Sequence, residues 1–248
     1  MISYRKLAMR VLGHSPVSAV KTARRSTGKR AAALALTAAL VVGMTLPAFA
    51  QDWYIDAGDI SISAGENGNN VTQNGTTTTD PTDTVIKSNG SSSNTVTIHA
   101  DEGKTVNVTL ENVNIDTSDT GKAAVSVTGS GDTNIELNGN NTLTSGGWHA
   151  GLEHNKETDS EGNETSGTLT ITDTDKNGSL TANGSSGGAG IGGATFKDAG
   201  KLEITGGTIN ATGSNGGAGI GGGDQGGDAD IVISGGTITA AGGSDPRP

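Results

Sequence analysis

The run Asp173-Thr174-Asp175-Lys176-Asn177-Gly178 alternates oxygen-bearing side chains and closes on a glycine. That spacing offers successive oxygen ligands to a hard cation such as calcium, with the glycine permitting the sharp turn. At the twelfth position, where helix-loop-helix calcium sites place a bidentate glutamate, stands Gly184, and nothing around the run reads as helix. The run is also an insertion of four residues relative to the turn Thr205-Gly206-Gly207, and it can equally be an Asx-rich turn. Asp173, Asp175 and Asn177 are therefore the candidate metal ligands and calcium the candidate cofactor, with a plain turn as the alternative. Asp224, Asp228 and Asp230 form a second, sparser acidic cluster.

Trp148, His149, Glu153 and His154 bring an aromatic plane and three hydrogen-bonding side chains within one short stretch. An aromatic face stacks on the apolar face of a sugar ring, and polar neighbours orient its hydroxyls. These four are the candidate ligand-binding residues, and a polysaccharide or other glycan is the candidate partner. The alternative is that Trp148 covers the end of a core beneath an insertion.

The elements that position these residues come from a repeat. Gly178–Gly193 recurs at Gly207–Gly222, 29 residues on, and a third copy opens at Gly236 after the same interval. A fixed period of this size means stacked units that bury their apolar faces against one another. Each unit divides into three short alternating runs separated by Gly, Asn and Asp, which argues strands and turns, not helices. The first run is Leu202-Glu203-Ile204, matched to Ile231-Val232-Ile233, Leu169-Thr170-Ile171, Ile135-Glu136-Leu137 and Val108-Thr109-Leu110. The second is Thr208-Ile209-Asn210, matched to Thr237-Ile238-Thr239, Ser179-Leu180-Thr181 and Thr142-Leu143-Thr144. The third is Ala218-Gly219-Ile220, matched to Ala189-Gly190-Ile191, Ala150-Gly151-Leu152 and Ala124-Val125.

The fold expected is all-β: a right-handed parallel β-helix with three short strands per coil. Matched this way, Glu136 and Glu203 share one outward column with Thr170 between them, about 9.6 Å apart at the spacing of stacked strands. They read as solvated surface charge. The pairs Gly187-Gly188 and Gly216-Gly217 read as a flat strip of bare backbone, with Trp148-His149 at the same place one coil earlier.

Residues 95–243 carry the coils. Residues 51–94 fit the unit less well and read as an irregular cap, with strands at Ile60-Ser61-Ile62 and Val85-Ile86 and mostly loop over 71–94. Lys156–Ser166 reads as a charged insertion on one turn. The third copy stops at Pro248, where its last strand should begin, so residues 244–248 read as a truncated tail of a longer protein.

At several places the coils resemble a known family. Asn141–Ser145, Ala150–Glu153, Thr168–Ile171, Gly178–Ala182 and the two Gly-Gly-Ala-Gly-Ile-Gly-Gly runs, Gly187–Gly193 and Gly216–Gly222, resemble the Gly-rich coils of large bacterial surface proteins. Those proteins carry a carbohydrate-binding β-helix domain similar in shape to pectate lyases. The resemblance spans roughly residues 95–243 and implies a secreted or cell-surface protein that binds polysaccharide, with bound calcium as a further implication. It does not extend to lyase or hydrolase chemistry. Lyases of that shape use an Arg to remove a proton, and beyond residue 50 the one Arg is Arg247. The hydrolases of that shape use an Asp pair and Gly-His-Gly, and neither Asp-Asp nor Gly-His-Gly occurs. The expectation is a binding protein that is not an enzyme; the alternative is a non-catalytic structural or adhesin stalk.

Composition sets the setting. Residues 1–50 hold eight of the 16 Lys and Arg and none of the 26 Asp and Glu, followed by the apolar run Ala31–Leu46 and the ending Ala48-Phe49-Ala50. A basic start, a short apolar run and an A-x-A ending mark a secretory signal peptide. The run, broken by Thr37, Gly43 and Thr45, falls short of the roughly 20 residues of a spanning helix. The remainder carries a net charge near −18, which repels nucleic acid and anionic membrane. It contains no cysteine and no second long apolar run, so neither disulfides nor a membrane span are expected in it.

Overall fold

Short alternating runs closed by Gly, Asn or Asp form strands of between two and seven residues, too short to hold without neighbours. The computed structural model describes residues 51–81, 83–227 and 229–244, all within the unit Ala48–Pro248. The expected signal peptide over 1–50, Asp228 and Arg247 lie outside the described residues.

The strands stack in three sheets. The first holds β1 (Asp52–Tyr54), β5 (Thr84–Lys87), β7 (Thr105–Glu111), β10 (Asp132–Asn138), β13 (Thr168–Thr172), β16 (Lys201–Ile204) and β19 (Ile231–Ile233), in that order. The second holds β8 (Asn114–Asp116), β11 (Asn140–Thr144), β14 (Ser179–Asn183), β17 (Thr208–Thr212) and β20 (Thr237–Ala241). The third holds β2 (Ile60–Ala64), β6 (Val96–His99), β9 (Val125–Thr128), β12 (Leu152–Glu153), β15 (Ile191–Gly192) and β18 (Ile220–Gly221), extended beyond β2 by β3 (Asn69–Gln73) and β4 (Thr76–Asp80). From β7 onward the chain visits first, second and third sheet in turn, and every strand pair apart from β2–β3 and β3–β4 is parallel. One 3-10 turn, Ile55–Ala57, is the only helical element among the described residues. This is the expected all-β parallel coil.

Columns of identical or similar apolar residues fill the interior. Val108, Ile135, Ile171 and Ile204 stack on the first sheet, and Val125, Leu152, Ile191 and Ile220 on the third. Most are fully buried, and each large side chain removed from water contributes roughly 1.5–3 kcal/mol before the entropy of ordering is set against it.

The register differs from the sequence expectation in two sheets, each time by two residues. Ile135 pairs with Ile171, Thr133 with Leu169, and Leu137 continues past the end of β13. Glu136 therefore lies beside Thr172, and Glu203 beside Thr170, so the two carboxylates occupy different columns. In the second sheet Thr142 pairs with Thr181 and Asn141 with Leu180. Side chains alternate with period two, so a slip of two keeps every residue on its own face. Patterning alone cannot distinguish the two alignments.

Asn141 is the residue that decides the second case. It points inward where the next coils have Leu180 and Ile209 and is 1% exposed. Its Oδ1 accepts from the Val113 amide at 2.9 Å, and its Nδ2 donates to the carbonyls of Asn138 (3.2 Å) and Ser179 (3.1 Å). A buried polar group satisfied on both ends is tolerated in the core.

Residues 71–80, expected to be loop, form most of an antiparallel hairpin laid on β2. Asn74 (φ 52) and Gly75 (φ 74) close it, as the two-residue turn of a tight hairpin requires. The glycine pairs also differ from expectation. Gly187, Gly188 and Gly217 are buried and Gly216 is half-buried, so no bare strip faces outward. A Cβ on Gly188 would sit 2.1 Å from the His149 carbonyl oxygen, and one on Gly217 2.4 Å from that of Gly188. These glycines let the turns of successive coils press backbone to backbone.

Candidate functional site

The turn Gly146–His149 leads into β12, and the turn Ala194–Lys197 follows β15 one coil later. Two turns from different coils meet because the Thr195 amide donates to the Trp148 carbonyl at 2.9 Å. The Phe196 amide in turn donates to the Asp224 carbonyl at 2.8 Å, extending the contact to a third coil.

Trp148 stands on this platform with 70% of its surface exposed. It does not cover the core. Phe196, 65% exposed, stands on the adjoining turn at φ 63. Sequence reasoning missed Phe196; the available signal was an aromatic at a turn position that the next repeat fills with Gln225.

His149 is held beside them. Its Nδ1 lies 2.7 Å from Glu153 Oε2, and the Glu153 side chain is 8% exposed against 37% for His149. The same carboxylate accepts from the Ala150 amide (3.3 Å) and from Asn155 Nδ2 (3.0 Å), while Asn155 Oδ1 takes the Ala194 amide of the next coil at 2.8 Å. A carboxylate facing Nδ1 fixes a proton there, which leaves Nε2 as the ring nitrogen open to a ligand. Glu153 orients the His149 ring and is itself buried.

His154, expected beside them, is not on this surface. It is 1% exposed, with Nδ1 3.2 Å from the Val127 carbonyl and Nε2 3.0 Å from that of Gly167. Gly200 packs against the ring, since a Cβ there would meet Nε2 at 2.5 Å. Consecutive strand residues face opposite ways, and the inward neighbour of an outward one is taken up by the core.

The run 173–178 folds as a turn around the Asp173 side chain. Asp173 Oδ1 accepts from the amides of Asn177 (3.1 Å) and Gly178 (3.0 Å), and Lys176 adopts φ 58. Asp175 and Asn177 are exposed. Among the described residues no three or more His, Cys, Asp or Glu gather within reach of one ion.

Two other carboxylates are tuned by similar turns. Hydrogen bonds from the Asn163 side chain and then the Asn163 amide hold Asp159 below its ordinary value of 3.8, within the 156–166 insertion. The Ser118 side chain and amide do the same for Asp116. Lys87 Nζ bridges Asp52 (3.0 Å) and Glu111 (3.2 Å) across β1, β5 and β7, and the Asp52 hydrogen bond, followed by that of Glu111, raises its ammonium above 10.5.

A family model described as a beta helix repeat matches residues 202–224 and 231–244. The chain carries a β-helix domain. The matched β-helix residues take in Leu202–Ile204 of β16, then β17 and β18 with the turn that follows, and β19 and β20. No curated protein and no solved structure matches the chain. No helix among the described residues is long and apolar enough to cross a membrane.

Proposed function

We propose that this β-helix is a secreted or cell-surface module that binds a polysaccharide, without transforming it, on the platform carrying Trp148 and Phe196. The observation that carries this reading is the pair of exposed aromatics on two hydrogen-bonded turns, with His149 fixed alongside by a buried carboxylate. Solvent-exposed indole and phenyl faces supply the stacking surface for sugar rings, and a ring nitrogen held in one orientation supplies a directional hydrogen bond at little entropic cost. Support for binding without chemistry comes from Glu153, whose carboxylate is occupied by three protein donors.

The test is a polysaccharide panel run by affinity electrophoresis and on a glycan array, with EDTA present and absent. Retardation by at least one polymer, weakened tenfold or more by Trp148→Ala, is the expected result. Loss of retardation with EDTA would place calcium in the site. No retardation by any polymer would favour the structural or adhesin stalk instead.

A further inference from the structure

The outer face of the first sheet holds a groove of about 510 Å3, inside the size range of small-ligand sites. It is lined by Asn107, Thr109, Asn134, Glu136, Thr172 and Thr174. Register arranges these side chains. Asn107 and Asn134 are paired neighbours on β7 and β10, and Thr109, Glu136 and Thr172 are paired neighbours on β7, β10 and β13. One outward column thus crosses two coils and the other three, at about 4.8 Å per step, close to the length of one pyranose unit.

The polar groups are already fixed. Asn134 Nδ2 donates to Asn107 Oδ1 at 2.9 Å, and Asn69 Nδ2 donates to the Asn107 carbonyl at 2.7 Å. Glu136 Oε1 accepts from the Thr174 amide at 2.6 Å, while Oε2 accepts from the Thr174 hydroxyl at 3.1 Å and from the Thr172 hydroxyl. Groups immobilised in the free protein lose little further entropy when a ligand arrives. Their remaining capacity is mixed: amide hydrogens on Asn107, the Asn134 carbonyl oxygen, and lone pairs on Glu136. Sugar hydroxyls, each both donor and acceptor, match that mixture.

Charge narrows the class. Asp83 joins Glu136 in the lining, and no Lys, Arg or His does, so uronate, sulfated or phosphorylated chains are repelled. We propose that this groove is a second glycan subsite, taking an uncharged linear oligosaccharide laid along the coil axis, one sugar unit per coil over β7, β10 and β13. It rests on the glycan-binding reading for the class of ligand and uses none of the Trp148 residues.

The decisive experiment is calorimetric titration of the full chain with cellotriose, mannotriose and trigalacturonate. At least one neutral trisaccharide binds, trigalacturonate does not, and Asn134→Ala and Glu136→Gln each weaken binding tenfold or more. Thr212→Ala, at an exposed position of β17 in the second sheet, leaves this binding unchanged. Glu136 also anchors the turn at Thr174, so Asn134→Ala, which removes one side-chain bond, carries the test if Glu136→Gln does not fold. Absence of binding by both neutral trisaccharides, equal binding of trigalacturonate, or full binding by Asn134→Ala would overturn the subsite. If trisaccharide binding responds to Trp148→Ala and ignores the groove variants, the subsite fails and the platform stands.

Discussion

Gly188 and Gly103 show how differently one residue type can matter. Gly188 is trapped against the His149 carbonyl, whereas Gly103 (φ 68) has no other atom near where its Cβ would project. Gly188→Ala must move backbone and should lower stability by about 3 kcal/mol. Gly103→Ala adds only left-handed strain, about 1 kcal/mol. Urea unfolding midpoints give the comparison, and equal shifts would refute the backbone-to-backbone account of the turns. Asp159 supplies a pH test at the same scale. Its carboxylate is held below the ordinary value by Asn163, so the folded loop favours the ionised form. That contribution is complete above the unfolded value and disappears as pH falls through the lower folded one. Amide resonances of Glu161 and Asn163, which donate to Asp159 Oδ1 at 2.9 Å each, should titrate with a midpoint below 3.8. Movement centred above 3.8 would contradict the assigned hydrogen bonds.

At the scale of elements, the insertion 156–166 is predicted to be dispensable. Its ends are joined by the Thr165 amide donating to the Glu157 carbonyl at 2.8 Å, and inside it Thr158 and Glu164 form an isolated antiparallel bridge. The flanking strands β12 and β13 belong to different sheets and keep their own partners. Replacing 158–164 with Gly-Gly should change the melting temperature by no more than about 4 °C, the shift of roughly 1 kcal/mol in a domain of this size; collapse of the cooperative transition in a calorimetric scan would show the loop is structural. Elements were legible in the sequence where the 29-residue copies repeat nearly verbatim, from Gly178 onward. They became illegible where one inward position turned polar. Asn141 and Thr133 hide the true register because an inward Asn or Thr looks like an outward one, and two of the groups that satisfy Asn141, the Val113 amide and the Ser179 carbonyl, come from neighbouring coils. The candidate site was legible in Trp148 and His149 but not in Phe196, whose placement beside Trp148 depends on a hydrogen bond between residues 47 apart in the chain. His154 was misplaced although alternation from the inward Leu152 already puts it on the core side, because a polar ring reads as a surface group.

At the scale of the molecule, stability is a sum along one axis. Each coil contacts mainly its two neighbours, so the effect of a core substitution depends on how many filled coils flank it. Ile191 is fully buried and lies between Leu152 and Ile220 in its column. Ile238 is partly buried and pairs with Ile209 on one side. Ile191→Ala leaves a cavity enclosed above and below and should cost about 2–5 kcal/mol. Ile238→Ala removes a side chain that water already reaches, and about 1 kcal/mol is expected. The two should also differ in reach. Hydrogen exchange after Ile238→Ala should quicken in β19 and β20 while β7 and β10 keep their protection, because a local opening need not disturb coils several steps away. After Ile191→Ala protection should fall on both sides of the gap, in β11 to β18. Uniform loss of protection in both variants would mean that the β-helix unfolds as one unit and that stacking between adjacent coils does not set its stability.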